Sequence, residues 1–181
     1  ADYVNAWTAE PEQALEEAER WARRAIELDV QEPVGHVALG NVLLWQRNHD
    51  AALAALARAV ELDPNYAQGH TLTGMTLMYS GRAAEALESI ATAMRLDPLY
   101  PNVLLHFLAQ AHFSLGDYEI AARHLLDRIA RNPATDASRM FLASCYGHLG
   151  RAEEARAAWA ELLKVNPDFS VMQRARVLPY K

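Results

Sequence analysis

"LDPNY", residues 62–66, decides the fold, because it returns in altered spelling as "LDPLY" at 96–100, "RNPAT" at 131–135 and "VNPDF" at 165–169. The prolines, at 64, 98, 133 and 167, recur every 34 or 35 residues. A fixed period of that size marks an array of supersecondary units rather than one closed core. Asp or Asn precedes each proline. Proline disfavours helical geometry in the residue before it and offers no N–H, so each of these stretches ends a helix.

Other landmarks keep the same phase. Small residues recur at Gly40, Gly74, Ala109 and Ala143, alanines at Ala18, Ala52, Ala86, Ala121 and Ala155, and turn glycines at Gly81, Gly116 and Gly150. Between them lie pairs of segments with helical apolar spacing, such as "VGHVALGNVLLWQ" (34–46) followed by "DAALAALARAVEL" (50–62). Each unit therefore reads helix, turn, helix. The small residues let two backbones approach where the helices cross, and a larger side chain there should cost about 1 to 3 kcal/mol. A glycine in the turn takes the left-handed conformation that closes the first helix. The fold class is all-α, in keeping with a chain that is half apolar and rich in Ala and Leu rather than β-branched residues.

With these landmarks in register, the chain resembles the tetratricopeptide repeat family over nearly its whole length. The resemblance implies an α-solenoid, a right-handed superhelix of antiparallel helix pairs. Full repeats are expected at 33–66, 67–100, 101–135 and 136–169, after a partial first repeat at 1–32 and before a partial capping helix and tail at 170–181. Two features depart from the family pattern: its early aromatic is replaced by His36 and His70, and one extra residue enters near Tyr100, Pro101 and Asn102. A narrower similarity, carried by "YVNAW", "EPVGH" and the ending "FLASCYGHLGRAEEARAAWAELLKVNPDFSV", points to the repeat regions appended to bacterial class III adenylate cyclases. At the front, "ELDV" (27–30) puts Val30 where the proline should stand, and Pro33 shifts the boundary signal to the start of the next helix. The chain begins with Ala1, which suggests a larger protein with a domain on the amino-terminal side.

First helices of such an array line a concave face suited to binding. The resemblance places there Val37, Asn41, Leu44 and Trp45; Gln68, Thr71, Met75, Met78 and Tyr79; Val103, His106, Gln110 and Phe113; and Met140, Ser144 and His148. No Lys or Arg is among them. Family members that hold acidic carboxy-terminal tails use a clamp of Lys, Asn and Arg, of which only Asn41 finds a match. Aromatics, methionines and amides instead suit an apolar or amphipathic peptide. The plain alternative is that several of these residues pack inside neighbouring repeats, or against the chain's own continuation.

Little else carries chemistry. The net charge of -6 and the lack of a basic stripe argue against nucleic acid, and no apolar run is long enough for a membrane span. The seven histidines show no metal-ligand spacing, although His106 or His148 could titrate near neutral pH within a binding site. Cys145 sits beside Ala143, where a compact buried side chain fits better than a nucleophile. The expectation is a cytoplasmic, non-enzymatic interaction scaffold without cofactor or metal, whose partner is a protein or peptide. Self-association through the ends of the array, or sensing of a small ligand in the aromatic groove, are the alternatives; a periplasmic location would also fit.

Overall fold

A computed structural model describes residues 11–181, so "ADYVNAW", expected as the tail of an opening helix, lies outside the described residues. Ten helices and no strand make up the described chain. The first, α1 (Pro11–Leu28), is followed by four pairs: α2 (Pro33–Trp45) with α3 (His49–Leu62), α4 (Ala67–Tyr79) with α5 (Ala83–Leu96), α6 (Val103–Leu115) with α7 (Tyr118–Arg131), and α8 (Asp136–His148) with α9 (Ala152–Val165). A short α10 (Val171–Val177) ends the series.

The turns between repeats show why "ELDV" is not a lesion. In each of the first three, an aspartate accepts a hydrogen bond from the backbone N–H two residues on: Gln31 to Asp29, Asn65 to Asp63 and Leu99 to Asp97, all at 2.9 Å. Asp29 makes this Asx turn with Val30 behind it as well as Asp63 does with Pro64, so the side chain of the acid shapes the turn and proline only reinforces it. Pro33 takes the first turn of α2, where its missing N–H costs nothing. The histidines that replace the family aromatic reach back to these turns. Nε2 of His70 lies 3.0 Å from the Pro64 carbonyl, and Nε2 of His36 lies 3.4 Å from that of Val30.

Close crossing within a repeat demands the small residues. A Cβ added to Gly40 would stand 2.6 Å from Cγ of Leu56, and one added to Gly74 would stand 2.6 Å from Cγ1 of Ile90. Leu56, Ile90 and Leu125 hold the same place in successive repeats and are fully buried, each contributing about 2 kcal/mol by burial. Within each repeat the second helix packs on the first, and also on the first helix of the next repeat. First helices also touch one another, α2 with α4, α4 with α6 and α6 with α8, whereas no two second helices of the described residues do. The first helices therefore form the tighter, inner layer of the curve, and their exposed side is the concave face.

The segment expected to cap the last repeat lies elsewhere. α10 forms, with Ser170 as its N-cap accepting from the N–H of Gln173. It buries none of its residues, and no other helix runs close alongside it. Its bonds lead instead across the concave face, toward the front of the array.

Candidate peptide-binding groove

The concave face is occupied by the chain itself. At its far end Nη2 of Arg174 on α10 reaches both carboxylate oxygens of Asp136, in the first turn of α8, at 2.8 Å. Nδ2 of Asn166 and the N–H of Ala137 also donate to that carboxylate. Burial alone would raise the Asp136 pKa, but the bond from Asn166 and the charge of Arg174 outweigh it and hold the carboxyl below its usual range. The guanidinium also lies over the Phe169 ring.

From there the chain runs to the α2–α3 turn. Nη2 of Arg47 donates to the carbonyls of Arg176 at 2.7 Å and Leu178 at 3.3 Å. Nε2 of His49, a buried residue, lies 2.6 Å from the Pro179 carbonyl, so that nitrogen carries the proton. Pro179 is fully buried, and Leu178 packs on the cluster containing Leu44, Leu77, Tyr79 and Phe107. The N–H of Tyr180 turns back to the Leu178 carbonyl at 2.9 Å, closing a tight bend about Pro179. The Tyr180 ring meets Tyr79 edge-on at 5.1 Å, and its hydroxyl accepts from Nε2 of Gln110 at 3.4 Å. The N–H of Lys181 donates to the Tyr79 carbonyl at 3.1 Å, at the end of α4.

Of the residues predicted to line the groove, Tyr79 and Gln110 meet the tail directly. Leu44, Met78, Thr71 and Val37 are buried, the first two in the cluster that receives Leu178 and Val37 in a cluster with Leu56, Ala59 and Leu72. Met75 and Val103 pack half-buried against the core, Asn41 and Gln68 are exposed, and Trp45 is half-buried. Phe113 and His148 belong to a separate aromatic group: Phe113 meets Tyr118, Phe141 and His148 edge-on, while His148 stacks on Tyr118 at 4.4 Å. Met140 and Ser144 are half-buried on α8, and the Ser144 hydroxyl donates to the Met140 carbonyl.

His106 does not fit the expectation of titration near neutral pH. Burial, with the charges of Arg128 and Arg174 nearby, pushes its pKa down to about 3, and its Nδ1 faces the Ser138 hydroxyl at 3.3 Å. Burial likewise pushes the Cys145 thiol up to about 11, which disfavours the thiolate. Among the described residues no group of three or more acidic, His or Cys side chains is placed to hold a metal ion, and no helix is long and apolar enough to cross a membrane.

Sequence reasoning missed Arg47, His49, Asp136 and the tail. Arg47 left a trace: it stands 34 residues before Gly81, in the phase of the turn glycines. Its φ is 61°, beside 80°, 88° and 73° at Gly81, Gly116 and Gly150. The turn bonds also agree, Asn48 to the Leu43 carbonyl matching Arg82 to Leu77, both at 2.9 Å. An arginine held in a glycine conformation is a local cost that points to a separate role for its side chain.

The chain is similar in fold to several solved repeat proteins. One is MamA from Desulfovibrio magneticus RS-1, at 14% identity and a TM-score of 0.76, covering 84% of this chain and 86% of that one. Another is YrrB, described as a tetratricopeptide protein with an unusual peptide-binding site, at 21% identity and a TM-score of 0.70, covering 81% and 75%. A third is TTC0263 from Thermus thermophilus, at 24% identity and a TM-score of 0.69, covering 90% and 88%. No curated protein sequence matches the chain. The tetratricopeptide repeat model matches residues 37–102 and 108–170, more than half of the 181 residues. With its helix pairs, turn glycines and small crossing residues all in register, the chain belongs to the tetratricopeptide repeat family, whose fold is that of a protein–protein interaction scaffold.

Proposed function

We propose that the chain is a non-catalytic scaffold that binds an apolar or amphipathic segment of a protein partner in its concave groove. The observation that carries this reading is the mode in which residues 176–181 lie there: side chains of the groove hold main-chain carbonyls, while an apolar residue, a proline and an aromatic fill the surface between. Bonds to main chain fix a peptide whatever its sequence, and seats for side chains then select it. YrrB, similar in fold, is described as having a peptide-binding site of its own. The similarity to repeats appended to bacterial adenylate cyclases favours a regulatory module of a larger cytoplasmic signalling protein.

The test is selection of a displayed library of random dodecapeptides on the 181-residue chain and, in parallel, on its Tyr180→Ala variant. Enriched peptides should be rich in aliphatic and aromatic residues. They should lose binding when Tyr79→Ala and Gln110→Ala are combined, with helicity unchanged by circular dichroism. Failure to enrich any peptide on either chain, or full binding to the doubly altered groove, refutes the reading.

Self-association is a second reading, favoured by the end of the array. Trp159 occupies the place of the fully buried Leu56, Ile90 and Leu125, yet it is 37% exposed, in an open hollow lined by Ala143, Ser144, Ala160 and Leu163. A further first helix would cover that face. A mass that stays at one chain into the high micromolar range by light scattering would exclude it.

A further inference from the structure

We infer that residues 178–181 are an internal ligand which keeps the groove closed, and that the partner segment replacing them has the same chemistry: an apolar residue, a proline and an aromatic, bent about the proline. This deepens the reading of the groove as a peptide site and rests on it.

The groove is shaped around those three residues. Leu178 leaves α10 extended, at φ -74° and ψ 146°, so its side chain enters the apolar cluster while its carbonyl turns to Arg47. Proline suits the next place because the chain needs a bend there and no N–H is called for; its carbonyl is the one His49 takes up. A planar side chain suits the third. Tyr79 presents its ring to the Tyr180 edge, and the Gln110 amide reaches a hydroxyl at the far end. Burial pushes the Tyr79 and Tyr180 phenols above their usual pKa, so both stay neutral donors and acceptors. Every contact of the tail with α2–α3, α4 and α6 is thus one that an unattached peptide of this kind could make.

The hold is also suited to release. α10 has only seven residues, buries none of them, and helices so short are marginal on their own. It serves as a tether between the Arg174–Asp136 pair and the seat. A tethered ligand competes at an effective concentration of about millimolar, so weak intrinsic affinity suffices to occupy the groove most of the time. An outside peptide then binds with its affinity reduced by the fraction of open groove.

The experiment uses a fluorescein-labelled octapeptide with the sequence of residues 174–181, RARVLPYK, titrated by polarisation into the 181-residue chain and into a variant carrying Pro179→Ser and Tyr180→Ala. The double variant should bind the peptide at least about tenfold more tightly than the parent, and adding His49→Phe should remove that gain. Arg174→Met, which unlatches the tail and leaves Asp136 free for the arginine of the peptide, provides an independent opening and should also raise affinity over the parent. Light scattering of the parent should give the mass of one chain. Equal affinity for parent and double variant, or no binding to either opened chain, overturns the inference, as does a two-chain mass that falls to one chain in the double variant, which would make the tail's true seat a second copy. Should dodecapeptides selected on the groove still bind while the octapeptide does not, only the internal-ligand inference falls; if neither binds, the groove reading falls with it.

Discussion

The two ends of the segment that crosses the concave face are held by different kinds of chemistry. At α8 the hold is one charge on another: Arg174 against Asp136, with side chains 19% and 11% exposed. At the α2–α3 turn Arg47 and His49 hold carbonyl oxygens, which every peptide has. The first contact is private to a chain with arginine at 174. The second recognises backbone, and leaves selectivity to the seats for Leu178, Pro179 and Tyr180. A latch and a peptide seat are therefore separable, and substitutions at the two ends should behave differently.

The largest effect is expected at the latch. Asp136→Ala removes the acceptor of a largely buried guanidinium and also the partner of the Asn166 amide. Leaving a buried charge unpaired costs about 3 kcal/mol, which urea unfolding followed by circular dichroism will measure. Arg174→Met should cost less than Asp136→Ala, because methionine carries no charge into the site and Asn166 and Ala137 still satisfy the carboxylate. If the two substitutions cost the same, the latch is not an electrostatic contact.

At the seat, His49→Phe keeps an aromatic of similar size but leaves the Pro179 carbonyl without its donor in a buried place. About 2 kcal/mol is the expected loss of stability. The same substitution in a chain already carrying Pro179→Ser and Tyr180→Ala should cost much less, since residues that touch share their energy and separated ones do not. An undiminished cost would place the role of His49 in packing of α3 rather than in holding the tail.

Acid should loosen the latch before the seat. The folded-state pKa of Asp136 lies below its ordinary value, so the stability it contributes is fully present above that ordinary value, near 4. It is lost as pH falls through the lowered folded-state value. The parent should therefore lose stability below about pH 4 more steeply than Asp136→Asn. Unfolding midpoints measured from about pH 6 down to about pH 3 test this, and parallel curves would remove Asp136 from the linkage.

These contrasts also explain what the sequence could disclose. Repeat boundaries were legible because each turn is local: Asp63 bonds an N–H two residues on, and Gly81 takes its φ from the turn it occupies. The close crossings at Gly40 and Gly74 were legible because they return at a fixed period. The groove was legible only in part. Tyr79 and Gln110 could be placed by register, but burial of Val37 and Leu44 depends on what packs against them. Of the tail, the short helix opened by Ser170 was legible, but its path across the groove was not. Arg47 and Arg176 are 129 residues apart, and a contact made once leaves no periodic trace. The only mark of that path was Arg47, an arginine where three other repeats have glycine.

The smallest net effect is expected at that arginine, and it separates the two holds most sharply. Arg47 occupies a left-handed conformation that costs a non-glycine residue about 1 kcal/mol or more, and its bonds to two carbonyls, being exposed, return about as much. Arg47→Gly should accordingly leave global stability within about 0.5 kcal/mol of the parent, because the relieved turn offsets the lost grip. Arg47→Ala keeps the strain and loses the grip, so it should be less stable than Arg47→Gly by about 1 kcal/mol. At Gly116, where φ is 88° and the tail contributes no bond, Gly116→Arg incurs the strain with no such return and should destabilise by about 1 kcal/mol or more. If Arg47→Gly proves markedly destabilising, the grip on the Arg176 and Leu178 carbonyls outweighs the strain of the turn, and the tail is bound too firmly for a peptide of its own kind to displace it.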